Sequence, residues 1–459
     1  MLRTPLARPF LTAPSPPHPC PHNNVPTKQP PRSDQLIVRV NPDNGDVATA
    51  GQAVASAAGL TYTGDIGNGF VVMAAKGEVV RANAARVAIV AAMERSRGGG
   101  GPPDTTPLGQ AVAAAKVSSA EEDFILLPMA APTECAAAGG CVSGTGGSGL
   151  WGMNYIRAPA LWNSLPGAVL PTSELHKGGV IDTGVHFSHV ELAGQLNSTL
   201  SRGYKGSDTP TSAADLDGHG THVSGSMAAR WNSGGQGSLA GVVGTADLVA
   251  CKFLWGSQGG TTSDAVRCLN YLRTNGILIT NNSWGGGGYS SALLTAIQNV
   301  CTAGGLFVVA AGNNGANILG SATQYPTYPA AHVTDSIAKD CVLPVAATGT
   351  SNTLASFSNF GQEVPIAAPG VGIRSSVYDR KVKNREATWS GTSMAAPHVT
   401  GVALMIKNAF PRLTGAQIKT AIVGSTTIQI SGIGGGLLDA KAAYDAAAAI
   451  NAALPSLAP

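Results

Sequence analysis

The first patterned stretch of the chain is "DQLIVRV" (34–40), which reads as a strand by its alternation of apolar and polar positions. The small-residue run "DVATAGQAVASAAGL" then predicts a helix, "GNGFVVMAA" (67–75) a strand, Gly77–Arg86 a helix, and "VAIVAAMERS" (87–96) a further strand. These fit the order β-α-β-β-α-β and predict a small α+β, ferredoxin-like domain over 34–97. From 98 to 149 the pattern is lost in "RGGGGPPDTTP" and "CAAAGGCVSGTGGSG", which read as a Gly/Pro-rich linker with one helix near 108–116.

From 150 to 455 short apolar runs alternate with longer amphipathic ones. Strands are predicted at 178–182, 247–254, 277–284, 306–313, 341–348 and 363–370, and helices at 218–230, 262–274, 290–303, 393–408 and 440–454. Nearly continuous apolar strands separated by helices imply a buried, mostly parallel sheet with helices on both faces, a three-layer α/β fold.

Composition narrows the class. Only 12% of residues are charged and 59 of 459 are glycine, which suits a tightly packed, loop-rich protein. A net charge of +3 with no basic stripe argues against nucleic-acid binding, and no apolar run is long enough for a membrane span. Residues 1–33 lack Asp and Glu, are rich in proline and have no apolar signal core, so they read as a disordered leader or targeting segment. Cys20 lies there. The other six cysteines show no CxxC spacing, which speaks against zinc and leaves disulfides or buried thiols. As disulfides, Cys135–Cys141, Cys251–Cys268 and Cys301–Cys341 are the pairs expected. They would place the chain in an oxidising compartment, secreted or in an endomembrane lumen, whereas the acid-poor leader suggests an organelle instead.

In a parallel sheet, chemistry collects at the carboxyl ends of the strands. One strand ends "VIDTG", placing Asp182 at that edge, and another ends "AAGNNG", placing Asn313 there. "DLDGHGTHVSG" starts a helix with His219 between two glycines, and "WSGTSMAAPHVTG" starts another at Ser393. Serine becomes a competent nucleophile when a neutral imidazole takes its proton, a carboxylate fixes that imidazole, and preorganised donors receive the oxyanion. Asp, His, Ser and Asn in these settings supply each part. Serine as a plain helix cap is the competing explanation for Ser393 alone.

The blocks "VIDTGV", "GHGTHVSG" and "GTSMAAPHVTG", in the order Asp, His, Ser, resemble the subtilisin-like serine proteases, or subtilases, and "NNSWGGGG", "FVVAAGNNG" and "FSNFGQEVPIAAPG" resemble further blocks of that family. The resemblance spans about 150–445. It implies that Asp182 orients the imidazole, His219 is general base and acid, Ser393 is the nucleophile and Asn313 an oxyanion donor. It also implies that Ser283, Trp284, Gly285 and Gly286 pair with the substrate backbone. Ala310, Ala311, Gly312 and Gln324 would bound a roomy pocket for the residue before the cut, and Pro326 would follow a cis bond. No cofactor is needed for chemistry. A structural Ca²⁺ is implied at Glu191 with the loop near Asn232–Gln236. His222, His398, Asp215 and Asp217 read as structural. The 34–97 unit resembles, more weakly, the family's inhibitory propeptide, with self-cleavage in the linker between Arg97 and Leu150. The resulting expectation is a monomeric serine endopeptidase, made as a zymogen, acting on polypeptides. The alternatives are a catalytically inactive peptide-binding homologue and, as a minor case, an esterase.

Overall fold

The computed structural model describes residues 32–42, 45–76, 79–96, 104–129, 150–165, 175–231, 239–321, 324, 326–382 and 384–455. The N-terminal unit comprises β1 (Arg32–Arg39), α1 (Val47–Ala57), β2 (Thr61–Gly67), β3 (Phe70–Ala74), α2 (Val79–Ser96), α3 (Pro107–Ala114) and β4 (Ser119–Pro128). Its strands lie in the antiparallel order β4-β1-β3-β2. Alternation along β1 explains how this sheet is covered on both faces. Leu36 and Val38 pack with Val54, Ile89 and Met93 under the helices, while Ile37 joins Phe70 and Val72 on the opposite face.

Two expectations change here. The run 87–96 is helix, continuous with the turns before it, because Ala82, Ala85, Ile89, Ala92 and Met93 recur every three to four residues and are all buried. The last strand instead comes from 119–128, which the sequence pattern assigned to the linker. The helix expected near 108–116 is α3, capped by the Thr106 hydroxyl accepting from Gly109 N.

The larger unit holds α4 (Trp151–Tyr155), α5 (Ala158–Trp162), β5 (Gly178–Asp182), β6 (Arg202–Gly203), α6 (His219–Ala228), β7 (Leu248–Lys252), β8 (Gly260–Thr261), α7 (Thr262–Thr274), β9 (Ile279–Asn282), β10 (Trp284–Gly285), α8 (Ser291–Thr302) and β11 (Leu306–Ala310). It continues through β12 (Val342–Thr348), β13 (Ile366–Pro369), β14 (Ile373–Val377), β15 (Arg385–Trp389), α9 (Thr392–Ala409), α10 (Gly415–Gly424), β16 (Gly436–Leu437) and α11 (Ala440–Ala452). The eight-stranded sheet runs β16-β13-β12-β11-β9-β5-β7-β6, with every described pair parallel. One face carries α6, α9, α10 and α11 over a core that includes Val223, Val308, Val399 and Leu404. The other carries α7 and α8, and Ile37, Phe70 and Val72 of the N-terminal sheet join that same core. The N-terminal unit therefore sits on α7 and α8, continuous with the interior.

Disulfides Cys251–Cys268 and Cys301–Cys341 tie β7 to α7 and the end of α8 to the start of β12. Cys135 and Cys141, like most of residues 1–33 and the segment 130–149, lie outside the described residues. Among the described residues no helix is long and apolar enough to cross a membrane.

Candidate active site

Asp182 ends β5 and is fully buried. Its Oδ1 accepts from His219 Nδ1 at 2.7 Å and from the Thr183 N–H at 2.7 Å. His219 opens α6, which the chain enters through Gly218 at φ 111°, a left-handed conformation that favours glycine. The turn is held by Asp215. Its Oδ1 accepts from Thr183 Oγ1 and from the N–H groups of Asp217 and Gly218, and its Oδ2 accepts from the Thr221 N–H and hydroxyl. Thr183 Oγ1 in turn accepts from Gly220 N. Asp215 is thus the structural cap that the sequence suggested. It locks the loop that delivers His219 to the end of β5.

With Nδ1 donating to Asp182, the neutral ring carries its lone pair on Nε2, which has no hydrogen-bond partner among the described residues. Burial is the largest single influence on this imidazole and pulls its pKa down. The Asp182 charge, the hydrogen bond to it, and the charges of Asp217 and Asp215 together outweigh burial and raise it above the ordinary value. Lys252, at the end of β7, donates from Nζ to the carbonyls of Thr183 (2.7 Å) and Ala214 (3.2 Å) beneath this pair. Trp389 stacks on His222 with centroids 4.6 Å apart and lies parallel to His219 at 6.3 Å. His222 Nε2 donates to the carbonyls of Ile373 and Ala387, and burial drives its pKa down to about 3. His398 donates from Nδ1 to Met394 O. Both histidines are structural, as expected.

Ser393 lies in the first turn of α9, buried, with its hydroxyl donating to Ser283 O at 3.0 Å rather than to His219. Ser283 O also accepts from Met129 N at 3.0 Å, and the Ser283 hydroxyl donates to Ser393 O. Met129 follows β4. Its carbonyl accepts from Asn313 Nδ2 at 2.5 Å and from Ser393 N at 3.3 Å. Asn313 is aimed by Thr392, whose N–H and hydroxyl both donate to Asn313 Oδ1 at 2.9 Å, while Thr392 Oγ1 accepts from Gly312 N. A helix-start N–H and a side-chain amide from beyond β11 therefore converge on one carbonyl oxygen, an arrangement able to receive an oxyanion.

Ahead of Met129, β4 lies as an added strand between two edges of the larger unit. Pro128 and Leu127 pair antiparallel with Trp284 and Gly285 of β10, and Leu126 and Ile125 with Gly260 and Thr261 of β8. At Gly285 an added Cβ would meet Met129 Cε at 2.6 Å and Tyr328 O at 2.7 Å, so the pocket exists because no side chain is there. Gly286 N donates to Tyr328 O. Of the other expected pocket residues, Ala310 and Ala311 are buried at the end of β11, and Ala311 packs with Ile318 and Val364. Gly312 fits against Asn359, and Gln324 is half-buried with backbone bonds to Ser321. The expected cis bond before Pro326 involves Tyr325, outside the described residues. The described cis bond is Tyr328–Pro329. Glu191 is buried in a 3-10 turn, its Oε1 accepting from Leu239 N and its carbonyl from Arg230 N, on either side of residues 232–238, which lie outside the described residues.

Sequence reasoning missed Thr392, Lys252 and Met129. Thr392 sits inside the serine block it had singled out, and a hydroxyl beside a nucleophile was the available signal. Lys252 carried one too, a lone cation ending an apolar strand.

The sequence profile of the subtilase family matches residues 178–447. Subtilisin Savinase from Lederbergia lenta is 33% identical over 300 residues, which cover 64% of this chain and 97% of that protein. Subtilisin DY from Bacillus licheniformis is 35% identical over 253 residues, 55% of this chain and 83% of that protein. In fold, the chain is similar to fervidolysin from Fervidobacterium pennivorans, described as a keratinolytic enzyme related to subtilisin. The TM-score is 0.64 at 21% identity, covering 91% of this chain and 61% of that one. The family match and these relatives make the chain a serine peptidase by class, and it belongs to the subtilase family.

Two outcomes are expected. With His219 as the expected base, which works only when neutral, kcat/KM should rise with pH along a limb whose midpoint lies above the ordinary ~6.5 of histidine, and Asp217→Asn should move that midpoint down. A midpoint at or below the ordinary value would contradict the charge balance. Thr392→Val should lower kcat about tenfold with little change in KM, less than the ~10²–10³ known for loss of the donor itself in a subtilisin, and Thr392→Ser should restore it. Steady-state kinetics on a short peptide ester separates the two parameters.

Proposed function

We propose that the chain is a serine endopeptidase made as a zymogen that cuts itself between Met129 and Ala130. The observation that carries this reading is the seating of Met129. Its carbonyl sits between Asn313 Nδ2 and Ser393 N, its N–H is held by Ser283 O, and the strand ahead of it is paired on both sides.

On this reading the Ser393 hydroxyl turns from Ser283 O to His219 Nε2 and gives up its proton there. Oγ bonds to the Met129 carbonyl carbon, and the negative oxygen stays between the two donors. The carbon–nitrogen bond to Ala130 then breaks, and His219 passes its proton to the new amine. Water, deprotonated by the same ring, releases the acyl group and regenerates Ser393. Asp182 fixes the tautomer throughout and stabilises the imidazolium. Other polypeptides would enter as Leu126–Met129 do, extended along β10, with a flexible apolar residue over Gly285.

The two disulfides support a secreted or lumenal setting. A structural Ca²⁺ at Glu191 would need about six to eight oxygens. Among the described residues no group of three or more His, Cys, Asp or Glu comes together, and the expected partner segment Asn232–Gln236 lies outside them.

The N-terminus of the processed wild-type protein should be Ala130 by sequencing, and a fluorophosphonate should label Ser393. A pure Ser393→Ala chain trimmed at the same bond would rule out self-cleavage. Chelation should lower the melting temperature, and an unchanged value would remove the calcium site.

A further inference from the structure

Upstream of the cleft, the strand that fills it makes contacts that a short peptide would not reach. Thr261 and Ser290 cap α7 and α8 in the ordinary way, accepting from Asp264 N and Leu293 N. Each cap leaves other first-turn N–H groups unsatisfied. Carboxylates from β4 take them. Asp123, fully buried, accepts from Ser263 N at 2.9 Å and from the Ser263 hydroxyl at 2.5 Å. Glu121 accepts from the Ser290 and Ser291 hydroxyls, each at 2.7 Å, from Ser291 N at 2.8 Å and from Ala292 N at 3.0 Å. Counted back from Met129, these are the seventh and ninth residues ahead of the cut.

Both seats belong to the larger unit and stay with it after cleavage. A bound carboxylate already occupies each one, carried by a strand whose far end lies in the cleft. We propose that the seats at Ser263 and at Ser290–Ala292 remain as specificity sites of the processed enzyme. They would select extended polypeptides, substrates or protein inhibitors, that carry an acidic side chain nine residues and another seven residues ahead of the scissile bond. This rests on the serine endopeptidase reading with Met129 before the cut. The two seats are unequal. Burial pushes the Asp123 carboxyl up to about 7 against the pull of its bonds from Ser263, so a charged group there gives up much of what the donors return. The half-buried Glu121 keeps part of its solvation and takes four hydrogen bonds, so the ninth position contributes more.

The test uses the full chain after self-cleavage is complete, at pH 7, with internally quenched peptides carrying residues 119–132 of this sequence. The parent is compared with Glu121→Gln, Asp123→Asn and double-amide peptides, and with a peptide that begins at Ile125. The double-amide peptide should lose about tenfold in kcat/KM, mostly through KM, with Glu121→Gln the larger single effect and the shortened peptide as poor as the double amide. Acidic and amide peptides within about twofold of one another, a difference of about 0.4 kcal/mol, would overturn the inference and leave the endopeptidase reading intact. Failure to cleave any peptide, the shortened one included, would overturn both.

Discussion

Asp182 and His219 meet where water does not reach, and an ionised carboxylate in such a place is costly unless its neighbours receive it. Much of the local architecture is organised around that cost. The strand β5 ends so that the next N–H points back at the carboxylate. Asp215 gathers five donors, four from the turn that brings the imidazole in and one from Thr183 after β5, and is itself buried. Lys252 adds a cation below, bonded to carbonyls on both sides of the pair. The result is an imidazole with a fixed tautomer and a raised pKa, facing a cleft built by other elements.

Those elements meet on one residue, Met129, through its N–H and its carbonyl. Ser283 O binds the Ser393 hydroxyl and the Met129 N–H at once, just before β10 begins. The residue that lines up the incoming backbone is therefore also the one that holds the serine hydroxyl at rest. Asn313, just beyond β11, reaches the Met129 carbonyl oxygen instead, with its amide turned the right way by Thr392. Three loops that are remote in sequence thus share a few hydrogen bonds, and a parallel sheet is suited to this because its strand ends lie side by side.

Central strands were most legible where burial on both faces leaves a short, unbroken apolar run, as in Leu306–Ala310, a signature that β3 of the N-terminal unit shares. Of the expected site residues, Asp182 ends one strand run and Asn313 lies just beyond another, whereas His219 and Ser393 open helices α6 and α9. The N-terminal unit was harder to read. Residues 87–96 are apolar enough for a strand, and only the three-to-four spacing of Ile89, Ala92 and Met93 reveals a helix. The strand β4 was hidden by its own charges, since "EEDFILLP" reads as surface until the helix starts that receive Glu121 and Asp123 are known. The hairpin β14–β15 was missed because only one of its strands is well buried. The helix α10 was overlooked although Thr414 and Gln417 form a capping box that could have been read from the sequence. Which donor would aim Asn313, and which peptide would lie beneath it, depends on tertiary distances that no local pattern carries.

The strand β4 is held by β1 at one end and by β8 and β10 at the other, so it belongs to two folding units at once. A chain in which either unit has misassembled cannot lay this strand straight, and its carbonyl then misses the donors by more than a hydrogen bond tolerates. On the self-processing reading, the first turnover is therefore an inspection. Only a molecule whose two halves have found each other can release itself, and a faulty one stays uncut and dormant.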